Sequence, residues 1–282
     1  NQPPILHPYH DVLLPISEVY SSACRCGANV YAKHVLRRQP PLDSRALHGR
    51  LIHRLWSQFH SLLKGHILRE MNSPQDLWHK LMAERSRLST SWANEVSRVQ
   101  ATTVNNTPET NCFDGYFEAV WVPMCFEACA ELSRLLAINS RAEPETVISW
   151  LAPAVTEFPV DGSLVGFSDI CRVDAFTPFS LIVEVKASHP SEAHKAALAA
   201  YALSIESTYE VPVDVGLLMY VSIPDGRPVA VVRHVLVPLD DKLREVAVEE
   251  RDCKTRIVAE RTHPDIEECR EDCVFRRVCE VA

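Results

Sequence analysis

The sequence lacks any uninterrupted apolar run long enough to cross a bilayer, and its N-terminus lacks the basic-then-apolar pattern of a secretory signal. These absences argue against a membrane span and against export, so we expect a cytoplasmic protein. Internal repeats and low-complexity tracts are also missing. The 282 residues are enough for one large domain, or for a core with appendages, of ordinary globular composition.

Acidic residues are nearly absent from residues 25–69. This segment holds nine Lys or Arg and one acid, Asp43, although the whole chain has a net charge of −8. Because the segment contributes +8, the rest of the chain carries −16. A local basic surface on an acidic protein is compatible with binding a phosphate backbone. The alternative for any single arginine is a solvated helix face.

An acid and a Glu-x-Lys pair form the strongest chemical signal. Asp169 ends a Gly-x-x-Asp stretch, Glu184 follows fifteen residues later, and Lys186 lies two positions beyond. Strand side chains alternate between faces, so Glu184 and Lys186 should share one face while Val183 and Val185 bury the other. Two carboxylates can hold a hard divalent cation, and an ammonium beside them can orient or deprotonate a water. This set predicts cleavage of a phosphodiester.

A structural ion pair is the alternative for Glu184 and Lys186, because an unpaired charge inside an apolar strand is costly. Asp169 as a third charge, and Gly166 as a position where a ligand can approach the backbone, favour a metal site instead.

A histidine and two arginines are expected on a helix further upstream. His53 ends a Gly-x-x-x-His pattern, and Arg50 and Arg54 lie beside it, away from a leucine stripe. We expect His53 to bind the metal through a ring nitrogen and the arginines to lie near DNA phosphates. A surface histidine, one of twelve, is the alternative. Tyr201, on the helix after the Glu-x-Lys strand, either faces the same site or fills core.

Ten cysteines are many for a cytoplasmic chain of this length. Three of them, at an arginine-rich terminus, are unevenly spaced: Cys269, Cys273 and Cys279. A fourth ligand must come from elsewhere, and Cys24 or Cys26 is the obvious source. A four-thiolate iron–sulfur cluster fits and would join the two ends of the chain; zinc and, in a hyperthermophile, disulfides are the alternatives. The other five are expected to pack as small hydrophobes: Cys112, Cys125, Cys129, Cys171 and Cys253.

The apolar periodicity predicts helices followed by a β-rich core. Helices are expected from Asp43 or Ser44 onward and over 74–100, 115–140, 143–151, 192–207 and 240–260. Strands are expected over 154–160, 164–173, 181–187, 211–221 and 229–237. The predicted division is an arm over 1–42, a helical region over 43–151, a β-β-β-α-β-β core over 152–238 and a C-terminal helix with the cysteine tail over 239–282.

The order of these motifs resembles that of one nuclease family. A cysteine, Gly-x-x-x-His, Gly-x-x-Asp, Glu-x-Lys, a helix tyrosine and three C-terminal cysteines follow one another in the CRISPR-associated RecB-like exonucleases with an iron–sulfur cluster, of the PD-(D/E)XK superfamily. The stretch at 21–26, followed by Val30 and Tyr31, looks like the N-terminal cysteine region of a longer archaeal subfamily. The resemblance spans nearly the whole chain.

The resemblance implies an α/β fold with a restriction-endonuclease-like core, a central mixed β-sheet, a helical N-terminal region and a cysteine cluster joining the termini. The ligands of Mg²⁺ or Mn²⁺ would be His53, Asp169, Glu184 and the backbone carbonyl of Val185. Lys186 would position or activate the attacking water, and Tyr201 would support the site. The cluster, expected to be [4Fe–4S] in preference to [2Fe–2S], would be held by Cys269, Cys273, Cys279 and one of Cys24 or Cys26, with a preference for Cys24.

Members of that family degrade single-stranded DNA from an end and help to prepare new spacers with the CRISPR integrase. The resemblance therefore implies a metal-dependent DNA exonuclease of CRISPR adaptation, without membrane association and with homo-oligomers allowed. A non-catalytic DNA-binding or assembly subunit of the same machinery is the rival. Ala197 stands where the family has a glutamine, which favours the rival, whereas the complete histidine, acid and lysine set favours the enzyme.

Overall fold

The structure, a computed structural model, describes residues 6–22, 24–38, 44–69, 73–102, 115–223 and 229–264. Helices dominate its first half and strands its second. The helices of the first half are α1 (Ile16–Val19), α2 (Ala28–Val30, continued by a π-helical turn over Tyr31–Val35), α3 (Ser44–Arg69), α4 (Pro74–Thr102), α5 (Tyr116–Ile138) and α6 (Pro144–Leu151). The second half contains β1 (Val155–Val160), β2 (Cys171–Phe176), β3 (Leu181–Lys186), α7 (Glu192–Tyr209), β4 (Val215–Ser222), β5 (Val231–Pro238) and α8 (Asp241–Ala259).

The spacing of apolar residues explains the long helix α3. Leu47, Leu51, Leu55 and Phe59 recur at helical intervals and are at most 4 % exposed, so one face of the helix is buried. The helix predicted there is confirmed, as are those predicted at α4 to α8. Helix α4 begins at Pro74, which suits a first helical position because the N–H there needs no partner. No helix within the described ranges has the length and apolar character needed to cross a membrane.

Five strands form one mixed sheet in the order β1-β2-β3-β4-β5. β3 and β4 are parallel, and the other neighbouring strands are antiparallel. Parallel neighbours need a crossover connection, which α7 provides between β3 and β4. The predicted α/β class, the central mixed sheet and the β-β-β-α-β-β order are therefore confirmed.

Helices cover both faces of the sheet. On one face α3 to α6 form an aromatic-rich layer, against which Val183 and Val185 of β3 pack. On the other face α7 and α8 pack together with α1, and Ile182 of β3 joins that layer. Side-chain alternation then puts Glu184 and Lys186 on the α7 side, away from the two valines, as the sequence predicts.

Strand β2 begins later than the sequence predicts. The expected strand over 164–173 is instead a 3₁₀ turn at Ser163–Val165 followed by a loop, and β2 starts at Cys171. Gly166 ends the turn with a φ of 78°, a left-handed conformation that glycine adopts without a Cβ penalty. Val165 lies in this turn and Phe167 in the loop, and both side chains are buried. Their apolar character is what suggested a strand.

Candidate active site

A chain of hydrogen bonds links His53, Asp174, Glu184 and Lys186 at the point where the β2–β3 ladder stops. Nδ1 of His53 lies 2.6 Å from Oδ1 of Asp174, and Nζ of Lys186 lies 2.5 Å from Oε2 of Glu184. Glu184 is only 3 % exposed. One imidazole from α3 and, from the strands, two carboxylates and one ammonium are therefore joined in one polar group, and we call these four residues the strand cluster.

The two carboxylates sit where the β2–β3 ladder stops. In these fully described strands, the last residue pair before the cluster is Ala175 with Val183. Beyond it, side chains replace the ladder: the Asp174 N–H donates to Oε1 of Glu184 at 3.3 Å, and the Val185 N–H donates to Oδ2 of Asp174 at 2.7 Å. The carboxylates thus satisfy backbone donors that the ladder leaves unpaired, and this holds both side chains in place.

The ladder is also interrupted on the other side of Asp174. β1 pairs with β2 over its length, but Glu157 and Asp174 are left out of the register. Glu157 has a φ of 52°, a left-handed value that residues other than glycine rarely adopt. Val173 packs in the α7 layer and Ala175 in the α3–α6 layer, so the alternation of β2 shifts at Asp174. Irregular strand positions of this kind occur next to active sites, where they re-aim a side chain.

Asp169 lies outside the strand cluster. It precedes β2 by two residues and is exposed, and its carboxylate accepts a long hydrogen bond of 3.5 Å from the Ser168 hydroxyl. The expectation that a hairpin carries Asp169 to the face of Glu184 is wrong, because β2 starts at Cys171 and not at residue 164.

Asp174 occupies the place that the sequence pattern gave to Asp169. The β2–β3 hairpin turns around Phe179, and a hairpin pairs residues equally distant from its centre. Asp174 and Glu184 lie five positions before and after that centre. The turn signal at Pro178, once used to set the register, therefore identifies Asp174 as the acid that faces Glu184.

Burial and ion pairing act against each other in the strand cluster. Burial raises the pKa of the Glu184 carboxyl, and Lys186 opposes that shift. For Lys186 burial acts to lower the pKa, but Glu184 and Asp174 outweigh it and the pKa is raised. The pKa of His53 is raised as well, since its bond to Asp174 overcomes the lowering effect of burial. The two carboxylates thus stabilise positive charge on both neighbours.

The structure places Tyr201 of α7 beside the strand cluster. It is 6 % exposed and lies within electrostatic range of Glu184 and Asp174. Burial, followed by the charge of Glu184, raises the pKa of its hydroxyl well above the ordinary value. Tyr201 is therefore a protonated hydrogen-bond donor at any physiological pH. Ala197, one helical turn earlier, is buried in the same layer.

A second polar group adjoins Lys186 and has no signal in the sequence. Tyr220 of β4 is in register with Lys186, and its hydroxyl lies 3.2 Å from Nδ1 of His194. Nε2 of His194 lies 3.5 Å from the Ser188 hydroxyl. Burial, together with Lys186, lowers the pKa of His194 to about 4, so its imidazole is neutral. His194 lies in the first turn of α7, and no sequence pattern relates that position to Tyr220 on β4.

Arg50 and Arg54 flank His53 on α3, and both are exposed. The structure therefore brings them to the same helix as the cluster histidine, with their side chains reachable from solvent. A contact with DNA phosphates stays a prediction for both residues.

The donors of the strand cluster suit a hard divalent cation in type. Carboxylate oxygens and an imidazole nitrogen are ligands that Mg²⁺ or Mn²⁺ accepts. Among the described residues, however, no three His, Cys, Asp or Glu side chains are already grouped as ligands of one ion. Each carboxylate oxygen accepts one protein donor and keeps a second lone pair. The contacts made by His53 and Lys186 are those that would open for a cation.

Cys24 and Cys26, which we call the cysteine pair, lie just before α2. Their sulfur atoms are 3.8 Å apart, and the Asn29 N–H donates to Sγ of Cys24 at 3.3 Å. Cys24 is 2 % exposed, and the buried Lys254 of α8 lies within electrostatic range of both thiols. The tail cysteines predicted to join them lie outside the described residues: Cys269, Cys273 and Cys279.

The C-terminal end of α8 packs against the N-terminal region beside the cysteine pair. The rings of Tyr31 and His263 contact each other at a centroid distance of 5.2 Å. Gly27 has a φ of 86°, and a Cβ at this position would lie 2.6 Å from the side chain of Ile257. The segment over 24–38 and the last described segment of the chain therefore meet at this junction.

The other described cysteines differ in exposure. Cys125 and Cys171 are buried, and burial raises the pKa of both thiols, to about 12 for Cys125. Cys129 is half-buried against the same layer as Cys125. These three pack as the sequence predicts. Cys253 is exposed on α8, so the expected apolar role was wrong for it, and Cys112 lies outside the described residues.

Comparison with known proteins gives one family. Residues 1–281 match the sequence model of a family described as CRISPR-associated exonuclease Csa1. A curated protein of that description from Saccharolobus solfataricus is 36 % identical over 168 residues, covering 58 % of this chain and 56 % of the relative. Another, from Thermoproteus tenax, is 28 % identical over 163 residues, covering 57 % and 56 %. The chain thus spans little more than half the length of the curated relatives it matches.

Proposed function

Since the chain belongs to the CRISPR-associated exonuclease Csa1 family, we propose that it is a metal-dependent nuclease that hydrolyses phosphodiester bonds at the ends of single-stranded DNA. Its place would be CRISPR adaptation, in which new spacers are prepared together with the integrase. The names of the relatives support the nuclease class and the CRISPR context. The preference for DNA ends, the preference for single strands and the integrase as partner are parts of the proposal.

The observation that carries this function is the strand cluster. Hydrogen bonds of 3.3 and 2.7 Å from backbone N–H groups to the carboxylates join Asp174 on β2 to the Glu-x-Lys stretch on β3. Lys186 lies 2.5 Å from Glu184, and a helix adds an imidazole 2.6 Å from Asp174. Burying these charges together costs free energy that a purely structural role does not require. In this proposal Asp174 takes the role that the sequence pattern assigned to Asp169.

Each member of the cluster has a role in the proposed hydrolysis. When bound, Mg²⁺ or Mn²⁺ would supply Lewis acidity and lower the pKa of a water. Its ligands would be His53, Asp174, Glu184 and the carbonyl of Val185. Lys186 would orient the attacking water and offset charge that develops on the phosphate. Tyr201, as a protonated phenol, would support the carboxylates from α7.

Arg50 and Arg54 provide a place for the DNA backbone next to the cluster. Both are exposed on α3 within one turn of His53. Arginine contacts phosphate with two parallel N–H donors, which suits a backbone read without regard to sequence. A strand lying along α3 would bring its terminal phosphodiester to the cluster.

We also assign the core to the PD-(D/E)XK restriction-endonuclease-like fold and place an iron–sulfur cluster at the termini. The fold assignment is supported by a mixed sheet whose neighbouring strands β2 and β3 carry the acid and Glu-x-Lys. The iron–sulfur assignment is supported by the cysteine pair, by the junction of α8 with the N-terminal region and by the three tail cysteines.

The test is a nuclease assay on the full chain, purified without oxygen. Single-stranded DNA labelled at either end is incubated with Mg²⁺, with Mn²⁺ or with a chelator. Glu184→Ala and Lys186→Ala should each lower the rate by about 100-fold or more while DNA binding persists. Lys195→Ala, which removes a lysine paired with Glu192 on the surface of α7, is the matched control and should cut normally.

Metal-dependent cutting that survives both changes would contradict the assignment. A wild-type chain that binds single-stranded DNA but does not cut it with either metal would favour the rival, a non-catalytic subunit of the same machinery.

A further inference from the structure

We propose that Tyr220 of β4 and His194 of α7 are positioning residues that act through Lys186. They hold the lysine side chain so that its ammonium stays on Glu184, where the proposed hydrolysis needs it. In this role neither residue contacts DNA or a metal ion. The inference rests on the proposed function and deepens it, because it adds to the site two residues that no sequence motif identifies.

Tyr220 stands directly beside Lys186 in the sheet. β3 and β4 are parallel, these two residues are in register, and each lies within electrostatic range of the other. Side chains in register project from the same face, and neighbouring strands lie about 4.8 Å apart. Tyr220 belongs to the α7 layer, so both side chains project toward α7. The phenol ring therefore limits movement of the lysine stem toward β4 and leaves the ammonium on Glu184, at 2.5 Å.

The phenol is itself fixed at its hydroxyl. The Tyr220 oxygen lies 3.2 Å from Nδ1 of His194, and the Ser191 N–H donates a hydrogen bond to the same oxygen. The tyrosine and histidine side chains are both buried, and their ring centroids are 5.7 Å apart. Because a hydroxyl both donates and accepts, it can donate to His194 while it accepts from Ser191. Moving the ring would break both bonds inside the protein, where little water is available to replace them.

His194 has to be neutral to hold the phenol in this way. Burial, together with Lys186, lowers the pKa of its imidazole to about 4. A neutral ring has one acceptor and one donor nitrogen. Nδ1 accepts from the Tyr220 hydroxyl, so the hydrogen is on Nε2, which lies 3.5 Å from the Ser188 hydroxyl. A protonated ring would lose the acceptor that the phenol needs and would add a second positive charge near Lys186.

The same contacts fix the connection between Lys186 and α7. Five residues join the lysine to the helix. Ser188, near the start of this connection, contacts His194. Ser191, at its end, is the N-cap of α7 and contacts Tyr220. The backbone on the C-terminal side of the lysine is thus held by β4 and α7. A phenylalanine and a leucine would fill the same space with no polar atoms to satisfy, so the hydroxyl and the imidazole point to a role beyond packing.

The test measures cutting of single-stranded DNA with Mn²⁺ by full-length variants, at equal amounts of folded protein. Tyr220→Phe removes only the hydroxyl and should lower kcat by about tenfold, because a misplaced lysine orients the water poorly. The KM for DNA and the Mn²⁺ needed for half-maximal cutting should stay unchanged. His194→Leu should have the same effect, and His194→Asn, whose amide oxygen can replace Nδ1 as the acceptor, should keep more of the rate. Tyr209→Phe, which changes an exposed tyrosine in the last turn of α7, is the matched control and should cut at the wild-type rate.

An unchanged kcat in Tyr220→Phe would overturn the inference, and so would a raised KM with the same kcat, which would indicate a DNA contact instead. A second measurement does not depend on cutting: acylation of the Lys186 amine by a succinimidyl ester, followed by mass spectrometry. An ammonium held on Glu184 reacts slowly, so the rate should rise severalfold in Tyr220→Phe and stay unchanged in Tyr209→Phe. Equal acylation in both variants would overturn the positioning role as well, even if the wild-type chain did not cut DNA and the proposed function failed.

Discussion

The strand cluster and the cysteine pair are held by the fold in opposite ways. Asp174, Glu184 and Lys186 lie within thirteen residues on adjacent strands, so the hairpin alone sets most of the geometry. Cys24 and Cys26 are nearly adjacent in sequence, but their surroundings include Lys254 and Ile257 of α8 at the other end of the chain. Chemistry fixed by a hairpin should survive changes at the termini, whereas the cysteine centre should depend on both ends.

The largest effect is expected from Asp174→Asn. This change keeps the size of the side chain but removes the charge that faces His53 and the Val185 N–H. We expect DNA cutting to fall by about 100-fold or more. Asp169→Asn is the matched control, since Asp169 is exposed and outside the cluster. Cleavage rates with Mn²⁺, measured on equal amounts of folded protein, check both.

The reverse result, in which Asp169→Asn abolishes cutting and Asp174→Asn does not, would restore the acid chosen from the sequence pattern. Neither variant should change the content of the iron–sulfur cluster proposed for the termini, because the strand cluster contains no cysteine.

His53→Gln should have the next largest effect, on the affinity for the cation. Losing one nitrogen ligand while Asp174 and Glu184 remain should raise the Mn²⁺ concentration needed for half-maximal cutting by about 10- to 100-fold. Saturating Mn²⁺ should restore part of the rate. His79→Gln, on the exposed face of α4, is the control and should leave the metal titration unchanged. An unchanged titration in His53→Gln would remove His53 from the ligand set.

Gly27→Ala should damage the cysteine centre and spare the strand cluster. Alanine is strained at a φ of 86°, and its Cβ would meet Ile257 at 2.6 Å. We expect a loss of about 2 kcal/mol in unfolding free energy and weaker metal retention at the termini. Gly49→Ala on α3 meets nothing within 4 Å and should be neutral or stabilising. Thermal melting and metal content, measured together, check the pair.

Equal metal retention in Gly27→Ala and Gly49→Ala would show that the close approach of α8 does not matter for the centre.

The sequence predicted the elements well and one register badly. Alternation in the run around Glu184 and Lys186 correctly gave their shared face, because a strand buried on both sides leaves little freedom. The start of β2 was wrong because Val165 and Phe167 are apolar in a turn as they would be in a strand. Because of that error, Asp169 and not Asp174 was predicted to be the acid that faces Glu184. Hairpin pairing, not motif spacing, decides which acid meets Glu184.

The polar group on β4 could not be predicted from local patterns. Tyr220 reaches Lys186 only through the parallel pairing of β3 with β4, which depends on the α7 crossover. His194 joins it from the first turn of α7. This contact depends on how β3, β4 and α7 pack together, so no regular spacing of residues in the sequence predicts it. For the cysteines, a cluster that joins the two ends of the chain stays a prediction, because the three tail cysteines lie outside the described residues.

The smallest expected effect is a pH dependence that separates two histidines of α3. Burial lowers the pKa of His60 to about 4, and its buried Nδ1 has no hydrogen-bond partner among the described residues. The unfolded chain therefore binds more protons between pH 6.5 and 4, so His60 should reduce stability as the pH falls through that range. The pKa of His53 is raised instead, so its contribution is complete below pH 6.5 and is lost as the pH rises through the folded value.

His60→Leu should accordingly flatten the acid side of the stability profile by on the order of 1 kcal/mol, and His53→Gln should flatten the neutral side. Melting temperatures from pH 4.5 to pH 8 check this, with His79→Gln as the reference for an exposed histidine. If the melting temperature of His60→Leu fell with pH as steeply as that of the wild type, protonation of His60 in the helical layer would not cause the loss of stability in acid. The strand layer, where burial and Lys186 give His194 a pKa of about 4 as well, would then be the acid-sensitive half.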